Sequence, residues 1–373
     1  MPSGKANESR AFQSPSRYIQ GPGEIRNLPH FASNYGSTAL AIIDSFFYET
    51  YRQTIPALFE SAGMTAWTVA YPGTATDDTL RQLVDFCKTL PQLPDTVIGI
   101  GGGQTCDISK AVGAFYRKAF ICVPTALTTD APTSTHTVLH NPHEQPKLVV
   151  HSKNPDYVVV DTEITVQSPA WMMVSGMGDA LATYIEAQAS FANNNVCNAG
   201  TGDYGPTLLG MAAAKLSYDV LLSKGREALL AARHHLRTPA YEDVVEATVL
   251  LSGLGFECTG VSIAHGLEAG FHVLPIRPLL HGTGVGYCTL VQLIVQNDME
   301  RFGEVFSFCR DIGLPVCTAD IGLTEENRDR SVEALVDEVY GKRWNVTNVP
   351  RYFSRETLIN AIYYLDAYAA EHR

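Results

Sequence analysis

Three polar residues in the second half of the chain stand in apolar or glycine-rich surroundings, where a polar group needs a reason. Asp179 lies in SGMGDALATYIEA, His265 in SIAHGLEAG and His281 in LLHGTGVGY. Singly, each has an ordinary reading: the aspartate as an acid near the start of a helix, either histidine as a satisfied buried side chain. Two histidines 16 residues apart and a remote carboxylate match no short zinc-binding string. Jointly, one Asp and two His make three donors with an open fourth position, the arrangement of a catalytic Zn²⁺.

The first half offers a different chemistry. In VIGIGGGQTCDISKAVG an apolar run passes through Gly101, Gly102 and Gly103 directly into a helical pattern. Glycines there let the backbone approach a phosphate, with unpaired N–H groups and the helix dipole facing it. The string is neither GxGxxG nor the P-loop GxxxxGK[ST], so a tight strand-to-helix turn without a ligand is the competing reading. Asp44 ends an earlier apolar run and should reach the same sheet edge. Its carboxylate could accept hydrogen bonds from an adenosine ribose, favouring NAD over its 2′-phosphorylated relative. An aspartate at a strand end is also an ordinary helix cap.

The elements that would carry these residues fall into two textures. Thr38–Asp44, Thr65–Tyr71, Asp95–Ile100 and Ala119–Pro124 read as buried strands, with helices over Tyr48–Ala62, Asp77–Leu90 and Gln104–Arg117 between them. Such alternation predicts a parallel sheet covered by helices. LVVHS and YVVVD add a further pair of strands before Asp161. Beyond it, Trp171–Phe191, Leu208–Leu222, Arg226–Leu236, Tyr241–Leu254 and Val285–Val295 read as helices. The fold class is therefore an α/β N-terminal domain with a parallel sheet, followed by an all-α C-terminal domain. The expected divisions are a polar tail over 1–13, the α/β domain over 14–161 and the helical domain over 162–373.

Composition narrows the function. The chain of 373 residues has 27 basic and 39 acidic side chains, and a charge of −12 without a Lys/Arg-rich run disfavours nucleic acid and anionic membranes. With 45% hydrophobic and 18% charged residues it is globular rather than disordered. No apolar run approaches the roughly 18–20 residues of a membrane span. The polar opening MPSGKANESRAFQSPSR lacks the apolar core of a signal peptide, so the expected location is cytoplasmic. Eight scattered cysteines without a CxxC are expected to be reduced.

SPSRYIQG, GGGQTCDISKA, PTALTTDAPTS, NPDYVVVDTEI, GMGDALATYIEA, LSGLGFE and SIAHG together resemble the glycerol dehydrogenases, from the family that also holds the iron-dependent alcohol dehydrogenases and dehydroquinate synthases. The likeness runs from about Ser14 to the C-terminus. It implies a dehydroquinate synthase-like fold, an NAD-binding α/β domain, a helical metal-binding domain and a homo-oligomer. It places Asp179, His265 and His281 on the metal ligands, with one Zn²⁺ per subunit. Asp44, Gly102, Gly103, Thr125, Thr128 and Ser134 fall on positions that contact NAD, and Asp130 on the residue beside bound glycerol. TTDAPTS also reads as a loop entering a helix, which would make Asp130 an N-cap. Where the iron enzymes carry a third histidine, this chain has Thr183, so the site resembles the zinc-binding branch.

The departures concern the pocket. Gln104 replaces a usual Lys near the pyrophosphate, and His136 and His140 replace an apolar residue and a Tyr near the cofactor. HGTGVGYC stands for the usual HGEKVAFG, and WNVTNVP lacks the usual His–Asn–Met run. The implied reaction is zinc-dependent oxidation of glycerol, or a similar small vicinal diol, to the hydroxyketone with reduction of NAD. Another small polyol, hydroxyketone or hydroxycarboxylate is the alternative substrate. A dehydroquinate synthase-like lyase would need several Lys or Arg for a phosphorylated sugar acid, and GMGDALATYIEA, SIAHGLEAGF and HGTGVGYC contain none.

Overall fold

The computed structural model describes residues 4–140, 147–200, 202–341, 346, 348–349 and 352–372. Most of WNVTNVP lies outside these residues. Contacts divide the chain into two compact units, Gln13–Ser168 and Pro169–Arg373, the latter joined by the segment up to Phe12. That opening segment is held by pairing of Lys5 with Asn195 and of Arg10 with Gly205. The short helix Thr162–Thr165, capped by the Asp161 side chain, belongs with the sheet.

The strands of the Gln13–Ser168 unit are β1 (Arg17–Gly21), β2 (Thr38–Asp44), β3 (Thr65–Tyr71), β4 (Thr96–Gly101), β5 (Ala119–Pro124), β6 (His136–Leu139), β7 (Lys147–Val150) and β8 (Tyr157–Asp161). Six of them form one parallel sheet in the order β1-β8-β5-β4-β2-β3. The alternation of β2 shows why both faces are covered. Ala39, Ala41 and Ile43 pack with Phe31, Ile55 and Phe59 on one side, while Leu40 and Ile42 pack with Ile108, Val112 and Phe120 on the other. The YVVVD strand, buried at every position, inserts between β1 and β5, whereas the half-exposed KLVV strand forms a separate antiparallel ribbon with β6. These two do not pair with each other, because only a strand apolar on both faces suits the interior of the sheet.

The chain crosses from β3 back over β2 to β4, so the order of strands reverses between β2 and β4. Crevices at such reversals, beyond the carboxyl ends of the strands, are where open α/β sheets take ligands. Asp44 ends β2 and the glycine turn follows β4. Helix α1 (Asp77–Thr89) starts from a capping box built by Thr76 and Thr79, and α2 (Gly103–Phe115) starts from Gly102 with no side-chain cap.

The second unit contains no named strand among its described residues. Its helices include α3 (Ala170–Ala192), α4 (Leu208–Arg233), α5 (Ser252–Thr259), α6 (Ile263–Glu268) and α7 (His281–Gln296). The two helices expected over 208–236 are one, α4. Gly225 does not break it: a Cβ there would lie 2.8 Å from the Phe308 ring, so the glycine serves close helix packing. A π-helical turn, Ala247–Leu251, leads into α5. All eight cysteines are buried and unbridged. No single described helix is long and apolar enough to cross a membrane.

Candidate active site

Ligand-capable atoms of Asp179, His265 and His281 lie within 4.8 Å of one another. Asp179 stands in the middle of α3 rather than near its start, on α6 sits His265, and His281 opens α7. Both imidazoles turn Nε2 toward Asp179 Oδ1, at 3.3 Å from His265 and 3.6 Å from His281. Two small residues bring the helices this close. A Cβ on Gly178 would lie 2.3 Å from the Gly282 carbonyl, and one on Gly282 only 2.0 Å from the Ser175 carbonyl. Helices α3 and α7 therefore touch backbone to backbone, which sets His281 beside Asp179.

Each histidine is held from behind by a carboxylate. His265 Nδ1 is 2.5 Å from Glu186 Oε2, and His281 Nδ1 is 3.0 Å from Glu268 Oε2. Glu186 is fully buried, and its Oε1 also accepts the backbone N–H groups of Ser262 and His265, at 2.8 and 3.0 Å. A carboxylate on Nδ1 fixes the tautomer that leaves the Nε2 lone pair for a metal. Neither glutamate was singled out from the sequence, although both lie in the motifs quoted above. Spacing offered the signal: Glu186 follows Asp179 by two helical turns, and Glu268 follows His265 by one.

The electrostatics fit a cation. Burial opposes protonation of His265, but Glu186 and Asp179 outweigh it and hold the imidazole well above its ordinary pKa. At His281 burial is likewise outweighed, by Glu268 and then Asp179, and the pKa rises to about 9. Three carboxylates around two imidazoles thus favour positive charge between the Nε2 atoms and Asp179, which a divalent ion would supply. The His281 side chain is 46% exposed, which leaves one side of the cluster open. Thr183 bonds Ser252 Oγ at 2.9 Å, and its methyl would lie 2.7 Å from a Cβ on Gly255. No imidazole fits there, so a fourth protein ligand is absent at that position. Gly284 stands where the enzymes it resembles usually carry a Lys, and a Cβ there would lie 2.9 Å from the Glu268 side chain.

The residues read as cofactor contacts gather in the Gln13–Ser168 unit. Ile43 of β2 is in register with Ile100 of β4, and a Cβ on Gly101 would meet the Asp44 Cβ at 2.9 Å. A Cβ on Gly102 would meet nothing within 4 Å, so open space lies over the start of α2. Asp44 Oδ1 accepts the Phe46 N–H at 2.9 Å, so this residue does cap the helix that follows it. Thr125 is buried and donates its N–H to the Gly101 carbonyl at 2.9 Å. Gln104 Oε1 accepts the Ala75 N–H at 2.9 Å, and the Ala75 carbonyl accepts the His140 N–H at 2.6 Å. Gln104 and His140 are thus tied through one residue of the β3–α1 loop. Thr128 is half-buried; Ser134 and His136 are buried, with Ser134 Oγ accepting the His136 N–H at 3.3 Å. Asp130 opens a turn closed by Thr133 N–H to its carbonyl, at 3.1 Å, and no helix follows it. The helix-cap reading of Asp130 therefore has no helix to cap.

Comparison with known proteins matches residues 15–162 to the iron-containing alcohol dehydrogenase family. The glycerol dehydrogenase of Citrobacter freundii is 33% identical over 356 residues, covering 95% of this chain and 96% of its own. That of Thermotoga maritima is 34% identical over 361 residues, covering 95% and 96%. The crystal structure of glycerol dehydrogenase from Schizosaccharomyces pombe superposes with a TM-score of 0.90 at 26% identity, covering 98% of this chain and 93% of that one. Likeness at this level over the whole length, on a fold with the same division into sheet and helices, makes the chain a member of the glycerol dehydrogenase group within the iron-containing alcohol dehydrogenase family.

Proposed function

We propose that the protein is a metal-dependent, NAD-linked dehydrogenase that oxidises glycerol, or a similar small vicinal diol, to the hydroxyketone. The observation that carries this reading is the three-donor cluster with a carboxylate behind each imidazole. Asp179, His265 and His281 would hold the ion, and one oxygen with two nitrogens suits Zn²⁺. A divalent ion bound there supplies Lewis-acid polarisation of a substrate hydroxyl. Glu186 and Glu268 keep both Nε2 lone pairs pointed at it.

The chain's other residues bind and orient. The first N–H groups of α2, at Gly103 and Gln104, receive the pyrophosphate, and Gly102 keeps the approach clear. Asp44 accepts the ribose hydroxyls and repels a 2′-phosphate. Thr125, Thr128, Ser134, His136 and His140 complete the cofactor side of this reading. Asp130 accepts a hydrogen bond from a substrate hydroxyl and hands the released proton outward. NAD, when bound, would accept the hydride of the secondary C–H bond, the O–H proton being released as the C=O bond forms. A homo-oligomer and a cytoplasmic location belong to the same reading.

Metal analysis of the purified protein, with NAD reduction measured across vicinal diols, simple alcohols and hydroxycarboxylates, tests it. The expected result is one divalent ion per subunit, highest kcat/KM on a vicinal diol, and loss of turnover on chelation that Zn²⁺ restores. Full turnover after metal removal, or a clear preference for a hydroxycarboxylate, would overturn it.

A further inference from the structure

Asp107 and Lys110 follow the glycine turn on α2, and nothing in the reaction so far accounts for a lysine at that place. Lys110 is fully buried. Its ammonium donates to the carbonyl oxygens of Ala131 (2.8 Å), Ser134 (3.3 Å) and His136, and pairs with Asp107 Oδ1 at 2.8 Å. Asp107 engages the next stretch of chain: its Oδ2 accepts the Val138 N–H at 2.9 Å, and its carbonyl accepts the Thr137 hydroxyl at 2.9 Å. Thr137 in turn meets His151 Nε2 at 2.8 Å.

A buried ammonium persists only where it is paired, and an apolar residue of similar size would fill the same space without that demand. What an apolar residue cannot do is gather two carbonyls of one irregular stretch, and a third from the first residue of β6, onto a single point. That stretch, between Asp130 and β6, is a turn and forms no ladder or helix of its own before His136. Without Lys110 the carbonyls of buried Ser134 and His136 and of half-buried Ala131 would lose a charged donor.

We propose that Lys110, held by Asp107, is a positioning residue for the substrate side of the reaction. It fixes the turn after Asp130 to the same helix whose first turn faces the cofactor phosphates. Thr128, Asp130 and Ser134 thereby keep one geometry relative to the glycine turn. This inference rests on the role assigned to Asp130 above.

The test compares Asp107→Asn/Lys110→Met, which removes both charges together, with Asp130→Asn. Metal content, NADH affinity by fluorescence titration, melting temperature, and kcat and KM for glycerol are measured on each. The double variant should keep its metal, bind NADH several-fold more weakly through Thr128 and Ser134, and lose at least tenfold in kcat, at saturating NAD and well below its melting temperature. A purely structural role would lower the melting temperature and leave kcat intact, and that result overturns the proposal. Loss of kcat in the double variant with unaltered kinetics in Asp130→Asn would support positioning by Lys110 while refuting the role of Asp130. Should the double variant not fold, Lys110→Arg keeps the charge beside Asp107, but a planar fork of donors cannot meet carbonyls that converge on one atom. Folded Lys110→Arg protein with reduced kcat at saturating NAD and parental metal content supports the inference; parental kcat overturns it.

Discussion

Glu186→Gln isolates what the buried carboxylate does for the metal. The substitution preserves shape and leaves one oxygen, which can still accept the N–H groups of Ser262 and His265 now held by Oε1. The amide nitrogen then faces His265 Nδ1, where Oε2 stood at 2.5 Å. An NH₂ group and an Nδ1–H are both donors, so the imidazole must carry its proton on Nε2 instead. That tautomer has no lone pair for the ion. Losing a hydrogen bond to a charged group costs about 1.5–3 kcal/mol, equivalent to roughly a 10- to 150-fold rise in metal Kd. Glu268→Gln applies the same change behind His281, but that histidine is 46% exposed and water can take over part of the bond. Its effect should stay below about tenfold, at the lower limit for such outer-shell changes. Competition against a chromophoric chelator gives both constants, with melting temperature of the metal-free proteins as the control for folding. Equal effects, or a larger one at Glu268, would refute the argument that the buried Glu186 contributes more to metal binding than Glu268 beside the half-exposed His281.

Gly282→Ala places a methyl 2.0 Å from the Ser175 carbonyl and should cost about 1–3 kcal/mol and lower metal occupancy, whereas Gly303→Ala, with nothing within 4 Å, should stabilise by up to about 1 kcal/mol; chemical denaturation with metal analysis checks both. Asp44→Ser keeps a helix cap and removes the charge, so the ratio of kcat/KM for NAD to that for NADP should fall at least tenfold with little change in melting temperature. Burial first, and the Lys110 ammonium second, hold His136 down to about 3 and His151 down to about 4. Both stay neutral in the folded chain while the unfolded chain protonates near 6.5, so stability is full above that pH and is lost as pH falls toward 4, by about 1.4 kcal/mol per unit for each histidine. His136→Phe should roughly halve that slope in urea titrations between pH 6 and 4.5; an unchanged slope would remove His136 from the account.

The sheet was legible because its inner strands are apolar on both faces, and Thr38–Asp44, Thr65–Tyr71 and Ala119–Pro124 were read with their observed bounds. Arg17–Gly21 and His136–Leu139 were not read as strands. One is a half-exposed edge and the other a short polar-flanked ribbon, so neither carries a continuous apolar run. Helix ends were least legible at glycine. Gly225 and the SGLG of α5 look like breaks in a one-dimensional pattern, yet they are contacts with Phe308, Thr183 and Ala214.

The same physics explains which parts of the candidate site could be read. Asp179, His265 and His281 are conspicuous because each breaks an apolar stretch, and a polar residue in such a stretch must be bonded to something. Glu186 and Glu268 break the same stretches, but a glutamate on a helix has a second ordinary explanation as a solvated side chain, and sequence cannot show that Glu186 is fully buried. Lys110 was hidden for the same reason, since at three residues after Asp107 it looks like a surface helix pair. What distinguishes Glu186 and Lys110 is burial combined with partners far along the chain: Ser262 and His265 for Glu186, Ala131 and Ser134 for Lys110. Residues that would touch a ligand are therefore announced by their surroundings in sequence, whereas residues that hold them in place are announced only by the fold.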